Sequence, residues 1–169
     1  MLLVKVLDNF LDPDLYCQLL DGMDDLSYRI LDRYKDSEKR EAHLGKDMVE
    51  QIKSCYHKKV RDPVGFFDAT VVKCDPGYKY RTHADHPDKL VSTVVYLHPD
   101  QGNGTFFLTK EEGLESTFDE IIWVPNRLVS WVNTGQRHMY RNTTDEIRCT
   151  LNIYQKKRDL VFKTQAFYE

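Results

Sequence analysis

The spacing of apolar residues divides the chain into a helical first third and a strand-rich remainder. Leu2, Val4 and Val6 alternate with other residues, as they would on one face of a short strand. Asp12 and Pro13 have the character of an N-cap and a first helical residue. The apolar stripe of the helix that they start consists of Leu15, Leu19, Leu20 and Met23. The pattern therefore predicts a strand followed directly by a helix.

A second helix is predicted before the helix-stopping pair Asp62-Pro63. Its apolar residues at helical spacing are Met48, Ile52, Cys55 and Tyr56. Residues 29–46, between the two helices, are dense in charge. Their pattern leaves three interpretations open: a loop, an exposed helix or a mobile lid.

From Phe66 onward the chain consists of short segments rich in Val, Ile, Thr and aromatic residues, separated by turn residues. The predicted strands are 66–74, 78–83, 91–97, 104–108, 121–124, 128–132, 138–141 and 147–154. So many short strands indicate a sandwich or a barrel closed on itself, because antiparallel chains hide their edges in this way. We expect an α+β fold that is mainly β, with the N-terminal helices packed on one sheet.

Size and composition are those of one globular domain. The 169 residues, with 41% hydrophobic and 30% charged residues, suffice for a core without disulfides. The four cysteines show no paired spacing that would indicate zinc or a disulfide framework. We expect a single domain, with the N-terminal strand and helices in about 1–64, a β core in about 65–155 and a C-terminal extension in about 156–169.

Charge and hydropathy narrow the choice of partners. A net charge of -3 and a pI near 6.1 do not provide the positive field of a protein whose main partner is nucleic acid. No segment has the features of a secretion signal or the roughly 20 apolar residues of a membrane span. We therefore expect a cytoplasmic protein without a membrane partner, and the charge disfavours a nucleic-acid partner without excluding it.

The first candidate for chemistry is the pair His83 and Asp85. Their i, i+2 spacing at a strand end directs an imidazole and a carboxylate to the same side. The segments 86–88 and 98–100 also read H-x-D, but a central proline interrupts strand pairing in each. The pair at His83 and Asp85 is therefore favoured as a metal-binding pair.

Two residues downstream strengthen this interpretation. His138 lies on a separate predicted strand, and two histidines with one carboxylate leave open metal positions, as in Fe(II) oxygenases. Arg148 follows on the next strand, where its planar guanidinium could pair with the carboxylate of a diacid. Strand alternation puts Arg148, Thr150, Asn152 and Tyr154 on one polar face. If that face looks into a barrel, it lines a ligand site.

The assembled pattern resembles the iron and 2-oxoglutarate-dependent dioxygenases, particularly their prolyl-hydroxylase-like branch. The stretch 66–155 looks like their double-stranded β-helix, a jelly-roll or cupin-like barrel. His83, Asp85, His138 and Arg148 match the family motif one by one. Residues 92–97 resemble the strand whose tyrosine helps hold the far carboxylate of 2-oxoglutarate, which assigns that role to Tyr96. The turn at 103–104 resembles the family's glycine doublet, but has Asn103 in place of the first glycine.

The resemblance implies a dioxygenase with Fe(II), 2-oxoglutarate as cosubstrate and O2. His83, Asp85 and His138 would bind the metal, and no catalytic residue beyond these ligands is expected. Arg148 and Tyr96 would bind the cosubstrate, and we add Tyr80 and Asn152 as further expected contacts.

Three kinds of primary substrate stay open: a peptidyl side chain such as proline, a small molecule, and a nucleobase. The nucleobase would require basic residues near the site, for which Arg61, Lys73, Lys79, Arg81 and Lys89 are candidates. A non-catalytic cupin-like binding module is the alternative outside enzymes.

Overall fold

The structure is a computed structural model that describes residues 4–112 and 115–157, without the side chains of 110–112 and 115. Leu2 and most of the expected C-terminal extension lie outside the described residues. The elements in chain order are β1 (Val4–Leu7), α1 (Pro13–Gly22), β2 (Arg29–Tyr34), β3 (Ser37–His43), α2 (Lys46–Lys59), β4 (Phe66–Cys74), β5 (Lys79–His83), β6 (Lys89–His98), β7 (Thr105–Glu112), β8 (Glu115–Ile121), β9 (Leu128–Val132), β10 (His138–Arg141) and β11 (Arg148–Lys156).

The strands form two antiparallel sheets. The larger sheet has the order β1-β9-β6-β11-β4-β3-β2, and the smaller has the order β5-β10-β7-β8. From β4 onward the chain passes repeatedly from one sheet to the other, which is the connectivity of a jelly roll. The expected fold class, mainly β with a double-stranded β-helix, is confirmed.

Closure into a barrel is not observed. Within residues 4–112 and 115–157 no hydrogen-bonded ladder joins the two sheets, so β1, β2, β5 and β8 stay edge strands. The inner faces of the two sheets enclose a cavity between them. Of the two forms that the strand pattern left open, a sandwich and a barrel closed on itself, the structure shows the first, as a two-sheet jelly roll.

The two helices pack on the outer face of the larger sheet, as expected. Leu15 and Leu19 of α1 and Ile52 and Tyr56 of α2 share one buried cluster with apolar residues of the sheet. The sheet residues of that cluster are Phe67, Ala69, Val71, Val95, Leu97, Leu128, Cys149, Leu151 and Ile153. Asp12 and Pro13 hold the predicted N-cap and first helical positions, although the Asp12 carboxylate accepts a hydrogen bond from Lys59 at 2.6 Å and does not cap the helix. No helix in the described part of the chain is long and apolar enough to cross a membrane.

Residues 29–46, whose structure the pattern left open, form mainly a β-hairpin. β2 pairs with β3, and β3 extends the larger sheet by pairing with β4. Every second residue of β3 therefore faces the cavity side of the sheet, including Lys39 and Glu41, which are both buried. The hairpin is part of the wall of the cavity.

The predicted strand at 121–124 is wrong. β8 ends at Ile121, and the following residues lead into a turn in which Asn126 has a positive φ of 60°. Trp123 is buried there, with its ring stacked on Tyr96 at 4.5 Å between centroids. Burial of a large ring, and not strand pairing, accounts for this apolar run.

Candidate metal centre

The smaller sheet brings two imidazoles together. His83 is the last residue of β5 and His138 the first of β10, and the two are direct partners in the antiparallel pair. Their ring centroids are 4.3 Å apart. Asp85 follows two residues after β5, and the ligand atoms of all three residues lie within 4.8 Å of one another. The structure thus assembles the three residues that the sequence pattern singled out.

Hydrogen bonds orient both imidazoles. The Nδ1 atom of His83 lies 2.9 Å from the backbone oxygen of Arg81, and Nδ1 of His138 lies 3.3 Å from that of Gln136. Since a carbonyl oxygen only accepts, each Nδ1 carries the proton and donates it. Nε2 of each ring is left with its lone pair for a metal, which is the usual arrangement of metal-binding histidines.

The ionisation of the three groups suits a cation. Burial, reinforced by the neighbouring His138, lowers the pKa of His83 to about 4. Burial also lowers the pKa of His138. For Asp85, burial alone would raise the pKa, but the charges of Lys89 and His138 and hydrogen bonds lower it to well below its usual range. Near neutral pH the site therefore offers two neutral nitrogens and one carboxylate, the donor set of the two-histidine, one-carboxylate iron sites.

The carboxylate of Asp85 is held from two sides. Lys89 donates a hydrogen bond to Oδ1 at 2.9 Å, and the indole Nε1 of Trp131 donates to Oδ2 at 3.1 Å. Oδ2 is also the atom that lies 4.0 Å from Nε2 of His138. These contacts fix the plane of the carboxylate, and they direct Oδ2 towards the histidines.

The three residues line a cavity of about 560 Å³, including its open mouth, between the two sheets. The inward face of β11 contributes Arg148, Thr150, Asn152 and Tyr154 to the same cavity. The polar face of this strand therefore looks into the interior and not at solvent. It forms the wall opposite the histidine-bearing strands of the smaller sheet.

Arg148 is only 3% exposed, and it has no acidic partner in the described part of the chain. Its Nε donates to the backbone oxygen of Asn103 at 3.3 Å. The guanidinium carbon lies 4.7 Å from the ring centroid of Tyr140 and 5.0 Å from that of Trp123. A buried cation held by rings but not neutralised by a carboxylate is suited to bind an anion.

The other three expected cosubstrate contacts lie in different surroundings. Tyr80 and Asn152 line the cavity. The hydroxyl of Tyr96 is fully buried outside the cavity lining, where it donates to Thr105 Oγ1 at 3.0 Å and accepts from the Thr105 backbone N–H at 2.8 Å. Its ring centroid lies 5.9 Å from the Arg148 guanidinium carbon. In this structure Tyr96 supports the wall behind Arg148.

The two other H-x-D segments stay away from the centre. His86 and Asp88 form an exposed pair at 3.7 Å, and His98 lies 3.5 Å from Glu146 near the surface. Lys39, Trp131 and Tyr140 are among the cavity residues that were not predicted for the site. The alternation of side chains along a strand could have indicated that Trp131 and Tyr140 face the cavity. Nothing in the sequence indicated Lys39, because no local pattern pairs a lysine of the charged hairpin with a distant histidine.

Comparison with known proteins places the fold. No family model and no curated protein matches the sequence. A prolyl-4-hydroxylase of Pseudomonas putida has a similar structure, with a TM-score of 0.66 and 14% identity over 94% of both chains. A prolyl hydroxylase of Trichoplax adhaerens, in complex with a peptide fragment of hypoxia-inducible factor, is similar over 91% of this chain and 83% of its own, with a TM-score of 0.69 and 15% identity.

A small-molecule enzyme has the same fold. The epimerase SnoN, in complex with Fe3+, alpha-ketoglutarate and nogalamycin RO, has a TM-score of 0.64 and 11% identity over 90% of this chain and 78% of its own. The fold of this chain is therefore that of the 2-oxoglutarate and Fe(II) oxygenases, prolyl hydroxylases among them. The fold and the site together define a jelly-roll domain with a His-Asp-His cluster suited to a metal.

Proposed function

We propose that this chain is an Fe(II)- and 2-oxoglutarate-dependent dioxygenase that hydroxylates a primary substrate and releases succinate and CO2. The observation that carries the proposal is the joint placement of His83, Asp85 and His138 and of the buried Arg148 in one cavity. A divalent metal fits the donor set of the first three residues. A diacid could bind a metal through one end and pair its far carboxylate with the Arg148 guanidinium.

Each residue of the cavity would have a distinct role in binding. His83, Asp85 and His138 would hold iron on one face and leave the other positions open. Arg148 would hold the far carboxylate of 2-oxoglutarate, and Trp131 keeps the Asp85 carboxylate in place. When bound, iron supplies the activation of O2 that couples decarboxylation of 2-oxoglutarate to oxidation of a substrate C–H bond.

A prolyl-type peptide side chain is our first choice of primary substrate, and a small molecule is the second. Support for the first comes from the similar prolyl hydroxylases, one of them in complex with a peptide. Support for the second comes from the similar epimerase in complex with nogalamycin RO. The cavity opens to solvent and could admit either kind of substrate.

A nucleobase substrate is not favoured. Of the five basic residues that could have surrounded the site, only Lys89 lines the cavity. Lys73 belongs to the opposite face of the sheet, where it binds Asp24 at 2.6 Å. The net charge of -3 also gives no broad attraction for phosphates.

The test is to add Fe(II) and 2-oxoglutarate to the protein without oxygen and to record the visible absorption spectrum. We expect a charge-transfer band of the iron chelate, which His83→Ala, Asp85→Ala and His138→Ala should abolish without unfolding the protein. Oxygen is then admitted. Candidate peptides, amino acids and oligonucleotides are ranked by the amount of succinate that each elicits.

The proposal fails if the folded wild-type protein takes up no iron or gives no band with 2-oxoglutarate. Binding of another ligand without iron uptake would instead support the non-catalytic cupin-like module. Salt-sensitive stimulation of succinate formation by oligonucleotides would support the nucleobase substrate.

A further inference from the structure

Lys39, from the β2–β3 hairpin, is a buried lysine that lines the cavity. It is 8% exposed, and its Nζ lies 4.1 Å from the ring centroid of Tyr80. Within the described residues no carboxylate lies within ion-pair distance of it. The acids nearest to it have other partners, since Glu41 binds Arg29 at 3.0 Å and Asp32 accepts a hydrogen bond from Tyr78 at 2.6 Å. An unpaired buried ammonium is costly, so a ligand that neutralises it gains affinity.

The sheet register aligns Lys39 with Arg148. Cys74 is the direct partner of Lys39 in the β3–β4 pair and of Arg148 in the β4–β11 pair. The three side chains therefore share the cavity face of the sheet. Neighbouring strands are about 4.8 Å apart, which puts the Cα atoms of Lys39 and Arg148 about 10 Å apart. The small Cys74 between them leaves space for both long side chains to converge.

Two tyrosines of the smaller sheet face the row formed by Lys39, Cys74 and Arg148. Tyr80 and Tyr140 are paired across β5 and β10, and their rings lie 5.2 Å apart with an interplanar angle of 21°. Tyr140 contacts both cations, with the Arg148 guanidinium carbon at 4.7 Å and the Lys39 Nζ at 5.5 Å from its ring centroid. Both cations thus contact the Tyr140 ring, which places them in the same part of the cavity.

The hydroxyl of Tyr140 is a further donor at this end. The atom is fully buried and has no hydrogen-bond partner in the described structure, although the Cys74 thiol is its neighbour. A tyrosine hydroxyl has one proton to donate and can also accept a hydrogen bond. A buried donor without an acceptor is uncommon in folded proteins, and a bound ligand can satisfy it.

We propose that Lys39 and Arg148 together hold the far carboxylate of 2-oxoglutarate, with the Tyr140 hydroxyl as a third donor. The inference rests on the proposed function. A carboxylate offers about four lone-pair sites, of which the guanidinium fork takes two and leaves the others for an ammonium and a hydroxyl. A 2-oxo acid without the far carboxylate would leave two buried cations unpaired. The β2–β3 hairpin therefore makes the site selective for diacids.

The test compares two ligands on the wild type and a set of variants. 2-Oxoglutarate and 2-oxovalerate have chains of the same length, but only the first has a far carboxylate. Their dissociation constants are measured by calorimetry or by the chelate band, with Fe(II) and without oxygen, for wild type, Lys39→Met, Tyr140→Phe and Arg148→Ala. Lys73→Met is the matched control, because Lys73 is next to Cys74 but its Nζ binds Asp24 on the other side of the sheet.

We expect Lys39→Met to weaken 2-oxoglutarate about ten- to hundredfold, as for loss of a charged hydrogen bond, and to leave 2-oxovalerate within about twofold. Arg148→Ala should show the same selectivity with a larger loss, on the order of a hundredfold or more, because it also leaves the carboxylate buried without its main partner. Tyr140→Phe should show a smaller selective loss, and Lys73→Met should show none. Lys39→Arg keeps the charge and should retain most of the affinity.

Unchanged 2-oxoglutarate affinity in folded Lys39→Met, or equal weakening of both ligands, would overturn the inference. If the Met variant does not fold, Lys39→Gln provides the neutral variant and is judged by the same criteria. Loss in Arg148→Ala but not in Lys39→Met would overturn the inference and leave standing only the role of Arg148 in the proposed function. Failure of the wild type to bind 2-oxoglutarate would instead reject the proposed function.

Discussion

At the scale of single residues, Trp131 contacts two of the three candidate metal ligands. The indole N–H donates to Oδ2, the carboxylate oxygen that faces His138. Trp131 also packs its ring on the His138 ring, with centroids 4.8 Å apart. One side chain therefore positions two of the three candidate ligands. Such supporting contacts commonly change metal affinity by about ten- to hundredfold.

We predict that Trp131→Phe, which keeps an aromatic ring but removes the donor, weakens Fe(II) or Mn(II) binding about ten- to hundredfold. The measurement is an anaerobic metal titration of the purified protein. Trp123→Phe is the matched control, since its Nε1 donates to the backbone oxygen of Pro99 and not to a ligand. Equal metal affinity in the two variants would show that Trp131 only fills space.

At the scale of elements, the start of β7 is fitted closely to the end of β8. A Cβ atom at Gly104 would lie 1.7 Å from the backbone oxygen of Ile121, a distance that no side chain tolerates. The preceding residue, Asn103, supplies the carbonyl that binds Arg148. The absence of a side chain at Gly104 therefore lets two strands approach closely. The same close approach fixes the position of the Asn103 carbonyl beside Arg148.

We predict that Gly104→Ala destabilises the protein by about 1–3 kcal/mol or more, because the strands must separate to admit a methyl group. Gly22→Ala is the control. It lies in α1 with no atom near the added Cβ, and it should be neutral or stabilise the protein by up to about 1 kcal/mol. Chemical denaturation of both variants measures the difference. A Gly104 variant as stable as wild type would refute the close fit.

At the scale of the whole molecule, cations outnumber anions among the residues that line the cavity. Lys39, Lys89 and Arg148 face a single carboxylate, Asp85. A metal adds positive charge, and a dianionic cosubstrate would offset part of this excess. Binding of the two ligands should accordingly stabilise the folded state, since neither has a site in the unfolded chain.

We predict that Mn(II) with 2-oxoglutarate, each at about 100 times its dissociation constant, adds at least about 2.7 kcal/mol to the free energy of unfolding. For a chain of this length that corresponds to a rise in the melting temperature of about 5–10 °C. Differential scanning fluorimetry measures the rise. Asp85→Ala should lose it, and an equal rise in that variant would mean that the ligands bind elsewhere.

The local pattern of the sequence was sufficient for much of the fold and for naming the metal-binding residues. Helix α1, with Asp12 and Pro13 at its start, followed from periodicity, because one face is apolar and buried. Strands such as β4 and β9 followed from short segments rich in Val, Thr and aromatic residues, many of which are buried in apolar clusters. His83, Asp85, His138 and Arg148 could be named because their spacing is local or resembles a known motif. The apolar residues at 121–124 led to a wrong strand prediction. A buried Trp123 outside any strand gives the same apolar run in the sequence as a strand does.

Only the tertiary structure decided what surrounds those residues. The β2–β3 hairpin has polar side chains on the face that lines a cavity, so it lacks the alternation that identifies a strand with an apolar core. The row from Lys39 through Cys74 to Arg148 joins strands that are far apart in sequence, and pairing between distant strands leaves no local signal. The sequence by itself determined which residues can bind a metal and an anion, because that depends on side-chain chemistry. Tertiary structure determined which cations and rings meet at one end of the cavity, because that depends on strand register.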